Sequence, residues 1–103
     1  MEEKVDVLLA TYNGEKYLKE QIDSILNQTY QNINLIISDD NSNDSTRKIL
    51  EEYKKIDNRI KTYLQDKNLG YIKNFEFLLT KVESNYYMLS DPCGKNRKVN
   101  ENT

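Results

Sequence analysis

Leu35-Ile36-Ile37-Ser38-Asp39-Asp40-Asn41-Ser42-Asn43-Asp44-Ser45-Thr46 decides the fold. Its apolar half, with Ile33 before it, is mostly β-branched and reads as a buried strand, whereas Asn41 to Ser45 are turn and helix-cap types. Asp39 and Asp40 therefore stand at the carboxyl end of a strand, where no sheet interior would accept them. If the sheet is parallel, that edge is where ligands bind, in the crevice outside the strand ends.

The flanking segments supply the parallel sheet. Upstream, Val5, Val7, Leu8, Leu9 and Ala10 form a first strand that breaks at Thr11-Tyr12-Asn13-Gly14. From Glu15 the spacing becomes helical, with Leu18, Ile22, Ile25 and Leu26 on one face. Downstream, Asp44 or a neighbouring serine caps a second helix, whose expected core face is Ile49, Leu50, Tyr53 and Ile56. Ile60, Thr62 and Leu64 alternate with polar residues and predict a half-buried strand near a sheet edge. After the loop Asp66 to Gly70, the residues Ile72, Phe75, Leu79 and Val82 fall on one helical stripe, and Tyr86 to Ser90 form a fourth strand ending at Asp91. The order β-α-β-α-β-α-β implies a three-layer, Rossmann-like parallel sheet with right-handed crossovers. Thr11 to Asn13, Asp39 to Ser42 and Asp91 then share one edge. Residues 92–103 lack apolar periodicity and are expected to form a disordered tail.

Composition narrows the chemistry. A chain of 103 residues, 37% hydrophobic and 31% charged, makes one domain at most. Acidic and basic residues interleave around a net charge of −2, giving no basic face for nucleic acid and no polybasic membrane patch. Cys93 is the only cysteine, so an intrachain disulfide is impossible and a reducing, cytoplasmic setting is expected. The absence of histidine excludes Ser-His-Asp and Cys-His catalysis and histidine-ligated metals, leaving carboxylates for hard-metal or general-base work. The apolar run after the acidic Met1 to Lys4 is too short for a signal peptide or a membrane span.

The turn after the first strand carries one glycine, too few for the dinucleotide fingerprint, and no Gly-Lys-Ser/Thr phosphate loop exists. Recognition of a nucleotide would instead rest on its base. Tyr12 can stack, Asp40 can accept a base N–H, and Asp91 can help hold a divalent cation. Tyr12 could equally pack over the sheet edge, and Asp39 could simply cap N–H groups of the following turn.

Val5 to Gly14, then Tyr17-Leu18 and Gln21-Ile-Asp-Ser-Ile-Leu-Asn-Gln-Thr-Tyr30, then Leu35 to Thr46, together resemble the opening of an inverting family 2 glycosyltransferase, and most closely its rhamnosyltransferase-like branch. Asn68-Leu-Gly70 and Asn74 resemble the family's loop and helix ahead of its metal motif. The resemblance implies the N-terminal half of a GT-A fold over residues 1–91, a nucleotide-diphospho-sugar donor such as a UDP- or dTDP-sugar, and magnesium or manganese. Thr11, Tyr12 and Asn13 match the first donor loop, with Tyr12 beside the base. Asp40 matches the carboxylate that hydrogen-bonds the base, with Asp39, Asn41 and Ser42 shaping its turn and Asn68 contributing to the nucleotide site. Asp91 matches the first aspartate of the metal motif.

Beyond that residue the pattern departs: Pro92-Cys93-Gly94 stands where the family continues with Gln-Asp-Asp-Val-Trp after Ser-Asp. A thiol is a poor substitute for a hard oxygen ligand. The remaining metal carboxylates, the acceptor-binding part and the general base have no counterpart here, so no catalytic residue is assigned and the chain alone is expected to be inactive. Two functions stay open. One is the donor-binding part of an enzyme that transfers a sugar to a polysaccharide or other glycan, in the full-length parent at the inner face of the membrane. The other is a non-catalytic nucleotide-binding or oligomerising remnant. An uncovered fourth strand also predicts a homo-oligomer.

Overall fold

The computed structural model describes residues 3–90 and 96–98. Strand β1 (Val5–Thr11) leads to α1 (Leu18–Leu26), then β2 (Ile33–Asp39), α2 (Thr46–Ile56), β3 (Ile60–Leu64), α3 (Tyr71–Leu79) and β4 (Tyr86–Ser90). A short β5 (Asn96–Lys98) follows, and the sheet order is β3-β2-β1-β4-β5. The first four strands are mutually parallel, so the expected Rossmann-like sheet is present.

Period-two alternation sorts the central strands between two cores. Val7 and Leu9 of β1, with Leu35 and Ile37 of β2, meet Leu18, Ile22 and Ile25 of α1 and Ile49 and Leu50 of α2. Leu8, Ala10 and Ile36 face the other way, against Leu78 of α3. Helices on both faces make three layers, and both faces of β1 and β2 are dry, which is why these strands read as continuous apolar runs. Each fully buried Leu or Ile contributes roughly 1.5–3 kcal/mol. The first two crossovers lead from β1 outward to β3 on one face, and the third returns over the other face to place β4 beside β1. The strand order therefore reverses between β1 and β4, the position where such sheets bind ligands.

At the opposite end of the sheet a buried carboxylate closes the last crossover. Asp6 accepts hydrogen bonds from the N–H groups of Glu83 and Ser84 (2.8 and 3.1 Å), the Ser84 hydroxyl (2.9 Å) and Asn34 Nδ2 (3.1 Å). With that many donors the charge is satisfied inside the fold, and the chain entering β4 is fixed beside β1.

Three expectations are corrected. Ile56, expected on the α2 core face, lies at the last turn of the helix and is exposed. The expected α3 stripe holds only in part: Phe75 and Val82 pack on the core, but Ile72 and Leu79 are exposed and Asn74 and Leu78 are the buried residues. The cause is Asn74, whose side chain bonds both the hydroxyl and the carbonyl of Ser38 (2.5 and 3.1 Å) and so turns that face of the helix to the sheet. In the tail, expected to lack regular structure, Asn96–Lys98 pairs antiparallel with Met88 to Ser90. An open edge of β4 offers unpaired N–H and C=O groups, and a short strand satisfies them whatever its hydrophobicity.

Candidate functional site

The carboxyl ends of β1 and β2 are in register, Thr11 opposite Asp39, and Ser90 of β4 lies level with Leu9. The loops leaving these ends are tied to each other. Asn13 and Asn41 both adopt left-handed backbone conformations (φ 49° and 62°), which asparagine tolerates better than most residues. In this arrangement the Asn13 N–H donates to Ser42 Oγ (2.8 Å), and the Asn43 N–H donates to Asn13 Oδ1 (2.9 Å). Gly14 N–H donates to Thr46 Oγ1 (3.0 Å), and Asp40 N–H to the Thr11 carbonyl (2.9 Å). The α2 start is satisfied by Asp44, whose Oδ1 accepts the Thr46 N–H (2.9 Å) while Oδ2 accepts the Glu15 N–H (3.3 Å). Burial raises the Asp44 pKa, but bonds from Thr46 and Glu15 outweigh it and hold the carboxyl below its ordinary value.

The two adjacent aspartates have different tasks. Asp39 is fully buried; its Oδ2 accepts the Ser42 N–H (2.9 Å) and Arg47 Nε (2.7 Å), and its Oδ1 accepts the Ser42 hydroxyl. Arg47 also donates to the Gln65 carbonyl. Asp39 is thus the capping carboxylate of its turn. Asp40, in contrast, borders a cavity of about 660 Å³ at the β1 end. Its Oδ1 accepts the Leu69 N–H (2.6 Å), its Oδ2 the Gly70 N–H (3.0 Å), and its carbonyl accepts Asn68 Nδ2 (2.6 Å). Each carboxylate oxygen has two lone pairs. Among the described residues no second donor reaches either oxygen, which leaves one lone pair on each for a donor entering the cavity.

Of the residues expected in the site, Thr11, Tyr12, Asn13, Asp40 and Asn68 line this cavity. Asp39 and Ser42 instead build the turn behind it, and Asn41 supplies that turn's left-handed residue. Asp91 lies outside the described residues. Among the described residues no group of three or more His, Cys, Asp or Glu side chains is arranged to hold a metal ion, so they do not make a metal site by themselves.

Sequence reasoning missed Tyr17, Gln21 and Tyr71 as cavity-lining residues. Gln21 is buried on α1 and donates to Ser90 Oγ (3.2 Å), linking that helix to the end of β4. Tyr17 and Tyr71 belong to the starts of helices on opposite faces of the sheet. With Tyr12 they place three rings, 64, 56 and 52% exposed respectively, around one cavity. The available signal was positional: each is a tyrosine next to a polar loop at a strand's carboxyl side.

A family model described as glycosyl transferase family 2 matches residues 6–92. The chain belongs to family 2 of the glycosyltransferases. Among relatives of this family 2 chain, an uncharacterised glycosyltransferase of Haemophilus influenzae is 40% identical over 84% of the chain and 27% of its own length. A Campylobacter jejuni GalNAc(5)-diNAcBac-PP-undecaprenol β-1,3-glucosyltransferase is 39% identical over 59% of the chain and 20% of its own length. The crystal structure of S. aureus TarS 1-349 in complex with UDP-GlcNAc superposes with a TM-score of 0.77 at 28% identity, covering 87% of the chain and 26% of TarS 1-349. The family 2 chain therefore spans about a quarter or less of the length of these relatives. Its sheet is the Rossmann-like N-terminal part of a GT-A fold. No helix among its described residues is long and apolar enough to cross a membrane.

Proposed function

We propose that the cavity binds the nucleoside of a nucleotide-diphospho-sugar donor, and that this chain is the donor-binding part of an enzyme that transfers a sugar to a polysaccharide or other glycan. The observation that carries the reading is the placement of Asp40. A buried carboxylate at the sheet's switch point keeps a lone pair on each oxygen, next to the exposed ring of Tyr12. A base with a ring N–H, such as uracil or thymine, offers the donor such an acceptor wants, and a tyrosine face suits stacking. Thr11, Asn13 and Asn68 complete the polar wall. Asp39, Asn41 and Ser42 keep the loop in shape.

In a full-length enzyme the acceptor hydroxyl would attack the anomeric carbon as the bond to the nucleoside diphosphate breaks, with inversion. A base outside residues 1–91 would take the hydroxyl proton. Asp91 would contribute one ligand to a magnesium or manganese ion whose charge neutralises the diphosphate. The likeness of the chain as a whole to the rhamnosyltransferase-like branch is part of this reading, and a UDP- or dTDP-sugar is the donor class proposed. The glycan named for the Campylobacter relative supports an acceptor of this general class, and a cytoplasmic enzyme working at the inner membrane face fits a lipid-linked one. Self-association through α3 is a further part of the reading, supported by the exposed Ile72 and Leu79, whereas the β4 edge expected to be open is paired by β5; a strict monomer in light scattering at high micromolar concentration would remove it.

Isothermal titration of the chain with UDP, dTDP, GDP and CDP tests the site. Nucleotides whose base carries a ring N–H, UDP and dTDP and also GDP, should bind better than CDP, since cytosine presents a bare ring nitrogen to Asp40. Equal affinity for UDP and CDP would refute the role given to Asp40. Binding without sugar transfer is the expected behaviour of this chain, and turnover of a nucleotide sugar by the chain alone would overturn the expectation of inactivity.

A further inference from the structure

We infer that Tyr71 is a nucleoside-binding residue, its ring packing against the base that Asp40 holds; this rests on the nucleotide reading of the cavity. The chain geometry forces the neighbourhood. Asp40 binds the N–H groups of Leu69 and Gly70 through its two oxygens, so the next residue is delivered beside the same carboxylate. Gly70 turns the chain at φ 92°, a conformation that favours glycine, and α3 begins at Tyr71. Tyr71 lines the cavity and is 56% exposed, too open for a core role, and its hydroxyl has no hydrogen-bond partner among the described residues. The ring is nevertheless braced: it meets Phe75 edge-on at 5.2 Å and 76°, and Phe75 packs on the core under α3. A braced, exposed aromatic ring beside a hydrogen-bond acceptor is the pairing that grips a base by its face and its edge together.

The test titrates the full chain with UDP and with uridine. Tyr71→Leu should weaken both by about tenfold, the scale of one base-aromatic stack, because the contact is to the base and not to the diphosphate. Tyr71→Phe should bind as the wild type does. Glu76→Ala, further along the exposed side of α3, should leave both affinities unchanged. Wild-type affinity in Tyr71→Leu, while Tyr12→Ala is weakened, would overturn the role of Tyr71 and leave the nucleotide site standing. No UDP binding by the wild-type chain would overturn both. Should Tyr71→Leu fail to fold by circular dichroism, nitration of the wild-type chain by tetranitromethane decides: Tyr71 should be modified in the free chain and protected by UDP, and equal modification with and without UDP would overturn the inference.

Discussion

Replacing Asp40 by asparagine removes one oxygen and presents an N–H₂ group in its place. In the native arrangement both oxygens are occupied by backbone donors, Leu69 at 2.6 Å and Gly70 at 3.0 Å. Asparagine can keep one of these bonds, in a weaker uncharged form, but must point its own donors at the other N–H. Bonds to charged groups are worth about 1.5–3 kcal/mol, and an unsatisfied buried donor costs about 1–3 kcal/mol. Because the lost bond and the unsatisfied N–H are largely one event, the two ranges do not add in full; a destabilisation of about 2–4 kcal/mol is expected, which in a domain of this size lowers Tm by about 10–25 °C. Asn68 would still hold the Asp40 carbonyl, so the damage should centre on Leu69 and Gly70. Because those residues position the start of α3, UDP affinity should fall together with stability. Urea denaturation followed by far-UV circular dichroism, with calorimetric titration of UDP below the transition, measures both. A denaturation midpoint unchanged from the wild type would refute the claim that the Asp40 carboxylate anchors the loop.

Arg47→Met should destabilise the chain by about 2–3 kcal/mol, below the usual 3–5 kcal/mol for breaking a buried pair because Arg47 is about a third exposed; urea denaturation reads this directly, and no change would mean that Ser42 alone satisfies Asp39. Gly14→Ala brings a methyl group to 3.0 Å from Thr11 Oγ1, so the Thr11 hydroxyl at the cavity wall must give way by a few tenths of an ångström; a stability loss of about 1 kcal/mol with weakened UDP binding is expected, by the overpacking cost of a tight site. Burial, followed by the hydrogen bond and charge of Asp23, pushes the Tyr53 phenol up to about 12. Its folded pKa lies above the unfolded value near 10, so its contribution to stability is complete below about pH 10 and is lost as pH rises towards 12. Ultraviolet titration of the phenolates should contain a late step near pH 12, and Tyr53→Phe should remove that step.

The abrupt change from Leu35-Ile36-Ile37 to Asp39-Asp40-Asn41 was enough to locate the polar strand end that borders the cavity, because a dry strand and a turn cannot share residue types. The register of side chains on α3 was not legible in the same way. Periodicity counts apolar residues, and the residue that orients this helix is the buried Asn74, held by Ser38 from a strand thirty-six positions earlier. The same blindness explains Tyr17, Gln21 and Tyr71. They reach the cavity only because α1 and α3 begin on opposite faces of β1, a consequence of the strand order and not of local sequence. Asp39 and Asp40 already read differently in the sequence, the first as a candidate cap of the following turn and the second as an acceptor at the strand end. Their partners separate them: Arg47 and Ser42 draw one into the turn, while the other faces the cavity.

The central claim is that a nucleotide sits at the β1 end of the sheet, and amide chemical-shift mapping on the isotopically labelled chain tests it most directly. Adding UDP should move the resonances of Tyr12, Asn13, Asp40, Leu69, Gly70 and Tyr71 in a saturable manner, and leave those at the far end, such as Glu83 and Ser84 beside Asp6, in place. Saturable shifts confined to that far end, or no shifts at millimolar UDP, would contradict the account.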